Sequence, residues 1–160
     1  MRTLTLGLVV SLCACGGEDR LTMQLRELSA LTSWGGVRSG EGDSVTVAVR
    51  GESAKDAFAR EVTRVFDGFV PPQILVRPET STANESTKDA VTSAAWVDAV
   101  TLVDYDETTG YARIGIGDAR KLRAVEDSLA NASIDMSLVI IDVTFENVVA
   151  IDHPPAGPSR

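Results

Sequence analysis

Two stretches of the chain repeat one order of hydrophobic patterns, and this repetition limits the folds that the chain can adopt. In each stretch a strand-like segment is followed by a glycine and an acidic residue, then a helical stripe, then a second strand-like segment. The stretches are Val45–Pro78 and Ala112–Val143, with Gly51 and Gly117 at matching points. The pattern predicts two strand–helix–strand units in an internal repeat of about 66 residues.

The first of these units begins with alternating valines, which predict a strand over Val45–Val49. After Gly51, a stripe of apolar residues predicts a helix that Ser53 caps, with Asp56 as the partner in a capping box. The members of the stripe are Ala54, Phe58, Val62, Val65, Phe66 and Phe69. A pair of prolines then turns the chain into a predicted strand at Ile74–Val76.

A predicted β-hairpin leads into the second unit. Its strands are Val100–Tyr105 and Tyr111–Ile116, and the loop between them ends at Gly110, where a positive φ is expected. A helix marked by Leu122, Val125 and Leu129, with Asp118 as its cap, leads to a β-branched strand at Leu138–Val143. In the linker Pro78–Ala95, Ser86 is expected to start a short helix.

These elements favour an α+β fold of the split βαβ, ferredoxin-like type, with helices on one face of a mostly antiparallel sheet. In this interpretation residues 45–152 form the domain, and residues 153–160 form a disordered tail. Residues 15–44 are expected to be a tether with a short amphipathic helix within Glu18–Trp34 and a glycine-rich loop at Gly35–Ser44. The domain then begins near Leu21 if this helix docks, and near Val45 if it does not.

Residues 1–14 have the pattern of an export signal, with Arg2 before a short apolar stretch. This stretch is far shorter than the ~20 residues that a membrane-spanning helix needs. The residues Leu12-Cys13-Ala14-Cys15 that follow resemble the bacterial lipobox, in which an aliphatic and a small residue precede a modified cysteine. The resemblance implies a bacterial lipoprotein that is cleaved before Cys15 and carries a diacylglyceryl group on that cysteine.

A lipoprotein would be held outside the cytoplasm in the cell envelope, at the outer membrane or the periplasmic face if the cell is Gram-negative. Cleavage would remove Cys13 and lipidation would consume Cys15, so the mature chain would have no thiol for catalysis or redox exchange. The alternative is an ordinary cleaved signal peptide with an incidental cysteine.

The segment Trp96–Ile151 resembles the propeptide-like modules of secreted bacterial serine proteases. The resemblance rests on a hairpin followed by a helix and a Val/Ile strand. The hairpin residues are Val103, Tyr105, Asp106, Glu107, Gly110, Ile114, Gly115 and Ile116. It implies a folding or inhibitory contact with a partner protein, and it implies no catalysis.

Charge and residue types exclude several classes of function. The 15 Lys and Arg against 23 Asp and Glu give a net charge of −8, and no basic run is present, so nucleic acid is not an expected partner. His153 is the only histidine and lies in the tail, so no catalytic triad or multi-histidine metal site is expected. Asp104, Asp106 and Glu107 are weak candidates for a calcium site, and a solvated hairpin turn explains them better.

No catalytic residue and no cofactor is therefore predicted. The favoured hypothesis is a non-catalytic interaction module that is attached to the membrane by lipid and binds another envelope or secreted protein. Its expected contact surface is an edge strand at Asn147–Ile151, whose unpaired backbone groups could accept a partner strand. The alternative is an extracytoplasmic hydrolase that uses a pair of carboxylates.

Overall fold

The computed structural model describes residues 19–95 and 100–144, in which four α-helices and six β-strands are formed. The helices are α1 (Arg20–Ser29), α2 (Lys55–Val65), α3 (Glu85–Ala94) and α4 (Leu122–Asn131). The strands are β1 (Trp34–Ser39), β2 (Val45–Arg50), β3 (Gln73–Arg77), β4 (Val100–Asp106), β5 (Tyr111–Ile116) and β6 (Val139–Val143).

The strands form two three-stranded sheets of the same topology, with the orders β1-β2-β3 and β4-β5-β6. In each sheet the first two strands are antiparallel, and a helix then crosses over to a third strand that is parallel to the second. We call residues 34–77 the N-terminal unit and residues 100–143 the C-terminal unit. Both the α+β class and the division into two pseudo-repeated halves are confirmed.

The sequence left open whether the two halves share one sheet, and the structure has a separate sheet in each. A mostly antiparallel sheet was expected, but each helical crossover adds its third strand in parallel within its own unit. The two sheets instead meet side by side, where β1 of the N-terminal unit packs along β6 of the C-terminal unit. Helix α4 also packs on β1, and its Glu126 carboxylate accepts hydrogen bonds from the Ser39 N–H at 3.0 and 3.2 Å. The two units therefore share one hydrophobic core.

The expected tether is wrong from α1 onward, because α1 and β1 are both part of the packed fold. Leu25 and Leu28 of α1 are completely buried, as is Val37 of β1. The predicted glycine-rich loop begins inside β1, whose residue Gly36 has φ +105° and approaches β6 closely. A Cβ at this position would lie 3.2 Å from the backbone nitrogen of Ile141. Glycines contribute nothing to a hydrophobic alternation, so sequence patterning does not detect such a strand.

Helix α1 connects the two units through polar contacts as well as apolar packing. The hydroxyl of Thr22 accepts a hydrogen bond from the Ala119 N–H at 3.0 Å, and both groups are buried. The Ser29 hydroxyl accepts one from the Val143 N–H at 3.1 Å. On the other side, the Gln24 amide donates to the Val65 carbonyl at 2.9 Å. The folded domain therefore begins at α1, which is the docked case of the two that the sequence left open.

The local capping predictions were partly wrong. A 3₁₀ turn at Glu52–Ala54 precedes α2, and no side chain caps that helix, so the expected Ser53 cap is absent. Helix α3 is capped by Asn84, two residues before the expected Ser86, and Asn84 and Thr87 form its capping box. Asp118 caps the 3₁₀ turn Ala119–Lys121, where its carboxylate accepts from the Arg120 N–H at 2.9 Å, and α4 itself has no side-chain cap. Gly110 has the expected positive φ, at 69°.

Candidate functional site

Several of the predicted functional residues lie outside the described parts of the chain. These are Cys15, His153 and the expected edge strand Asn147–Ile151. Trp96, where the propeptide-like segment begins, is also outside them.

The acidic residues of the β4–β5 hairpin take part in local structure. The Asp106 carboxylate accepts hydrogen bonds from the backbone N–H groups of Thr108 and Thr109, at 3.0 and 3.2 Å. Burial acts to raise the pKa of Asp106, but the hydrogen bonds from Thr109 and Thr108 and the charge of Arg113 outweigh it, so the pKa is lowered. Asp104 accepts from the backbone of Tyr105, at 2.7 Å. Within residues 19–95 and 100–144, no three His, Cys, Asp or Glu side chains are grouped to hold a metal ion.

A cleft of about 370 Å³ lies on the polar face of the C-terminal sheet, beside the end of α1. Arg113 and Asp142 lie on neighbouring strands of this face, and Asp104 of β4 lines the same cleft. Gly115 lies on β5, the middle strand of the sheet, with β4 on one side and β6 on the other. A Cβ at this position would come within 3.2 Å of Leu102 and Thr144. The glycine thus lets the side chains around it approach one another closely.

The polar centre of this cleft is an ion pair between Arg113 and Asp142. Nε and Nη2 of Arg113 donate to the two carboxylate oxygens of Asp142, at 2.9 and 3.0 Å. Burial raises the pKa of the Asp142 carboxyl, although the hydrogen bonds and charge of Arg113 and the nearby Trp34 indole act to lower it. The same pair raises the pKa of Arg113. A two-point ion pair with a buried carboxylate fixes both side chains, which suits a structural role.

Two further arginines, Arg38 and Arg77, join the two units near Val139, where β6 begins. Both guanidinium groups donate to the carbonyl of Val139, at 2.9 and 2.8 Å, and both also reach the turn before β6. Arg77 additionally lies over the ring of Tyr111, 4.8 Å from its centroid. Burial, and then the charge of Arg77, lowers the pKa of Arg38 to about 10. No pattern in the sequence distinguished these arginines from solvent-exposed ones.

The outer edge of β3 is the most open strand edge of the N-terminal unit. We call the backbone and side chains of Gln73–Val76 on this side the β3 edge. Strand β3 pairs only with β2, and no other described segment forms a hydrogen bond with the backbone of Gln73–Val76. The side chains of Leu75 and Val76 are 51% and 37% exposed. A stretch of strand without charged side chains and with open backbone groups is suited to pairing with another strand.

The loop that leads into β3 carries an exposed apolar tip, which we define as Phe69 and Val70. Val70 is 90% exposed and Phe69 is 51% exposed. The guanidinium carbon of Arg20, at the start of α1, lies 3.8 Å from the centroid of the Phe69 ring. Next to the tip is a cavity of about 630 Å³, lined in part by Leu21, Phe66 and Val70. The sequence pattern had assigned Phe69 to the buried stripe of α2, but α2 ends at Val65 and the chain turns outward at Gly68.

No protein-family model matches the chain, and no curated protein matches it either. Among residues 19–95 and 100–144, none of the helices has the length and apolar character that crossing a membrane requires.

Proposed function

We propose that this protein is a lipid-tethered, non-catalytic interaction module of the cell envelope, and that its β3 edge receives an extended segment of another envelope or secreted protein. The single observation that carries the proposal is the open, uncharged β3 edge with exposed Leu75 and Val76. Adding a strand to an open edge satisfies backbone groups of both partners and gives the contact its direction.

The side chains of the β3 edge support this mode of binding. Leu75 and Val76 are consecutive residues, so they project to opposite faces of the sheet. An incoming strand would therefore find an apolar side chain on each face of the edge, in addition to the backbone groups. Side-chain pairs across neighbouring strands supply part of the stability of any sheet.

The outer strand of the other sheet makes a useful contrast. Strand β4 also has an exposed leucine, Leu102, but it carries Asp104 and ends at Asp106. Charged side chains on an edge strand oppose pairing with a second chain. The β3 edge has no charge between Gln73 and Val76, and the Arg77 guanidinium that ends the strand is engaged by the carbonyls of Gly35 and Val139, which favours this edge over β4 as the binding edge.

The tether rests on the lipobox-like residues and on the position of the first helix. Cys15 lies only five residues before Arg20, where α1 begins, so a lipid on Cys15 would hold the domain close to the membrane. A partner in the envelope would then meet the domain at the membrane surface. Tethering raises the effective concentration of the domain there.

The tether is tested with two serine variants of the full chain, expressed in a bacterium that lipidates such proteins. Cys15→Ser should abolish labelling by a fatty-acid probe and release the protein from membranes, because the acceptor thiol is lost. Cys13→Ser is the matched control and should still be labelled. Labelling that survives in Cys15→Ser would contradict the proposed lipidation site.

The binding edge is tested by placing a photo-crosslinking amino acid at position 75, with position 102 as the control edge. A protein crosslinked from position 75 alone is then purified, and its affinity is measured for wild type, Leu75→Lys and Leu102→Lys. We expect Leu75→Lys to weaken binding at least about tenfold, since an inserted charge opposes strand pairing, and Leu102→Lys to bind like wild type. Equal affinity of all three proteins would overturn the proposed edge.

The carboxylate-pair hydrolase is the second candidate, and one observation favours it. Asp142 has a raised pKa and shares its cleft with Asp104, and perturbed carboxyls in clefts are common in active sites. The two-point hold of Arg113 on Asp142 weighs against it, because both carboxylate oxygens are already engaged. Hydrolysis of an extracellular polymer that is lost in both Asp104→Asn and Asp142→Asn would favour the hydrolase over the module.

A further inference from the structure

We infer that the apolar tip, Phe69 and Val70, inserts into the interfacial layer of the same bilayer that holds the lipid on Cys15. The inference depends on the proposed tether and adds a second, non-covalent contact with the membrane. We favour the bilayer surface as the binding partner of this tip, because the described chain begins beside the tip, at Arg20.

The reach of the N-terminal segment brings the tip to the membrane. Arg20 follows Cys15 by five residue steps, and a fully extended chain of that length spans at most about 18 Å. The headgroup layer on each side of a bilayer is about 5–8 Å thick. Since the Arg20 guanidinium lies 3.8 Å from the Phe69 ring, the tip and the beginning of α1 occupy the same end of the domain. A lipid on Cys15 therefore keeps the tip within reach of the headgroups.

The chemistry of the tip matches that of the interface. Val70 and Phe69 present apolar surface that gains free energy when it leaves water. The guanidinium group of Arg20 lies over the ring of Phe69, and the charged group would face the polar headgroups while the ring enters the layer beneath them. The two prolines that follow, Pro71 and Pro72, have no backbone N–H to leave unsatisfied in a less polar layer.

Acidic groups near the tip select the type of lipid. Asp67 lies two residues before Phe69, and Glu41 and Asp43 line the neighbouring cavity. These carboxylates would be repelled by an anionic membrane surface. The contact is therefore expected with a zwitterionic lipid surface and to depend on apolar insertion, with little contribution from electrostatic attraction.

Insertion at the tip leaves the β3 edge available to a partner. Strand β3 starts at Gln73, directly after the two prolines, and a strand advances about 3.3 Å per residue. The β3 edge therefore begins three residues after Val70 and extends away from the tip along the strand. The two proposed contacts thus use successive segments of the chain and do not compete.

The inference is tested with the lipidated full chain, purified and reconstituted in phosphatidylcholine vesicles. An environment-sensitive fluorophore is placed on Val70→Cys, and Glu107→Cys, an exposed residue of the β4–β5 hairpin, is the matched control. We expect a blue shift at position 70 and at least about twofold quenching by lipids with a nitroxide at the headgroup, with neither effect at position 107. A solvent-like spectrum at position 70 in vesicle-bound protein would overturn the inference and leave the tether intact.

Two further outcomes separate the inference from the tether and from contact with protein. If the wild-type chain takes up no fatty acid, the tether and the inference are both overturned. If the position 70 probe is already shifted in detergent-free protein without vesicles, and the shift grows with protein concentration, the tip contacts a second copy, which overturns the membrane inference. Phe69→Asp, introduced into the labelled Val70→Cys protein so that a charge opposes insertion, should reverse the quenching while fatty-acid labelling remains as in wild type.

Discussion

Strands β3 and β6 hold the same place in the two units, yet one is open to solvent and the other is completely enclosed. Each is the third strand of its sheet and runs parallel to the strand beside it. Every residue of β6 is buried, whereas β3 exposes Gln73, Leu75 and Val76. The difference is made by β1, which packs along β6 and leaves no counterpart for β3.

The enclosure of β6 depends on side chains that belong to other elements. Ser29 of α1 accepts from the Val143 N–H, and Arg38 and Arg77 donate to the Val139 carbonyl. Such contacts satisfy backbone groups that a third strand would otherwise expose to solvent or to another chain. Two units of one topology can therefore serve different purposes, because the buried third strand joins the units and the open one is free to bind.

The largest expected difference between the two strands is in their contribution to stability. Ile141→Ala in β6 should lower the free energy of unfolding by about 4 kcal/mol, because it opens a cavity in a completely buried site. Leu75→Ala in β3 should lower it by less than about 1 kcal/mol, since half of that side chain is already in solvent. Chemical denaturation of both variants measures the difference, and equal losses would mean that the β3 edge is covered in solution.

A second expected effect concerns the buried acid of β6. Asp142→Ala should cost about 3 kcal/mol, because it leaves the partly buried Arg113 guanidinium without its carboxylate. Adding Arg113→Met to this variant should recover much of the loss, since an apolar pair needs no compensating charge. The test is denaturant unfolding of the single and double variants. If the double variant is as unstable as Asp142→Ala, the uncompensated charge of Arg113 does not explain the loss of stability.

The close approach of β1 to β6 predicts a smaller but specific effect. Gly36→Ala should cost about 2 kcal/mol or more, because the new Cβ lies 3.2 Å from Ile141 N and the φ of +105° strains an L-residue. Gly42 also has a positive φ, at +64°, but open space surrounds its Cβ position. Gly42→Ala is therefore the control for backbone strain alone, with a cost of about 1 kcal/mol. Thermal unfolding measures both costs. Equal losses of stability in Gly36→Ala and Gly42→Ala would show that the contact with β6 does not contribute.

The smallest expected effect is a pH dependence at the end of the other outer strand, β4. The pKa of Asp106 is lowered in the folded chain, so its ionised form adds stability above the ordinary Asp pKa of about 3.9. That stability, at most about 1 kcal/mol, should be lost as the pH falls through the folded pKa. Asp106→Asn keeps the acceptor oxygen for the turn and should remove this part of the acid dependence. Stability curves of the two proteins that stay parallel from pH 6 to pH 2.5 would contradict the assignment.

Periodic segments with a strong apolar pattern could be predicted from the sequence. The strands β2, β4 and β5 were found within a residue or two of their predicted positions, and α4 contains the three apolar residues that marked it. Strand β1 was missed because its glycines carry no pattern, and the exposure of Phe69 was missed because its spacing continued the stripe of α2. The Arg113–Asp142 pair was missed because the two residues meet only when β5 and β6 become neighbours.

The sequence by itself determined the order of the strand–helix–strand units, since the periods of 2.0 and 3.6 residues depend only on local geometry. It also carries the lipobox-like residues at Leu12–Cys15, which are a local motif. Only the tertiary structure decided that β6 is enclosed, that β3 remains open and that Phe69 and Val70 face outward beside Arg20. These properties depend on which edges pack together, and that choice is made by long-range contacts among β1, β6 and α1, which a local pattern does not encode.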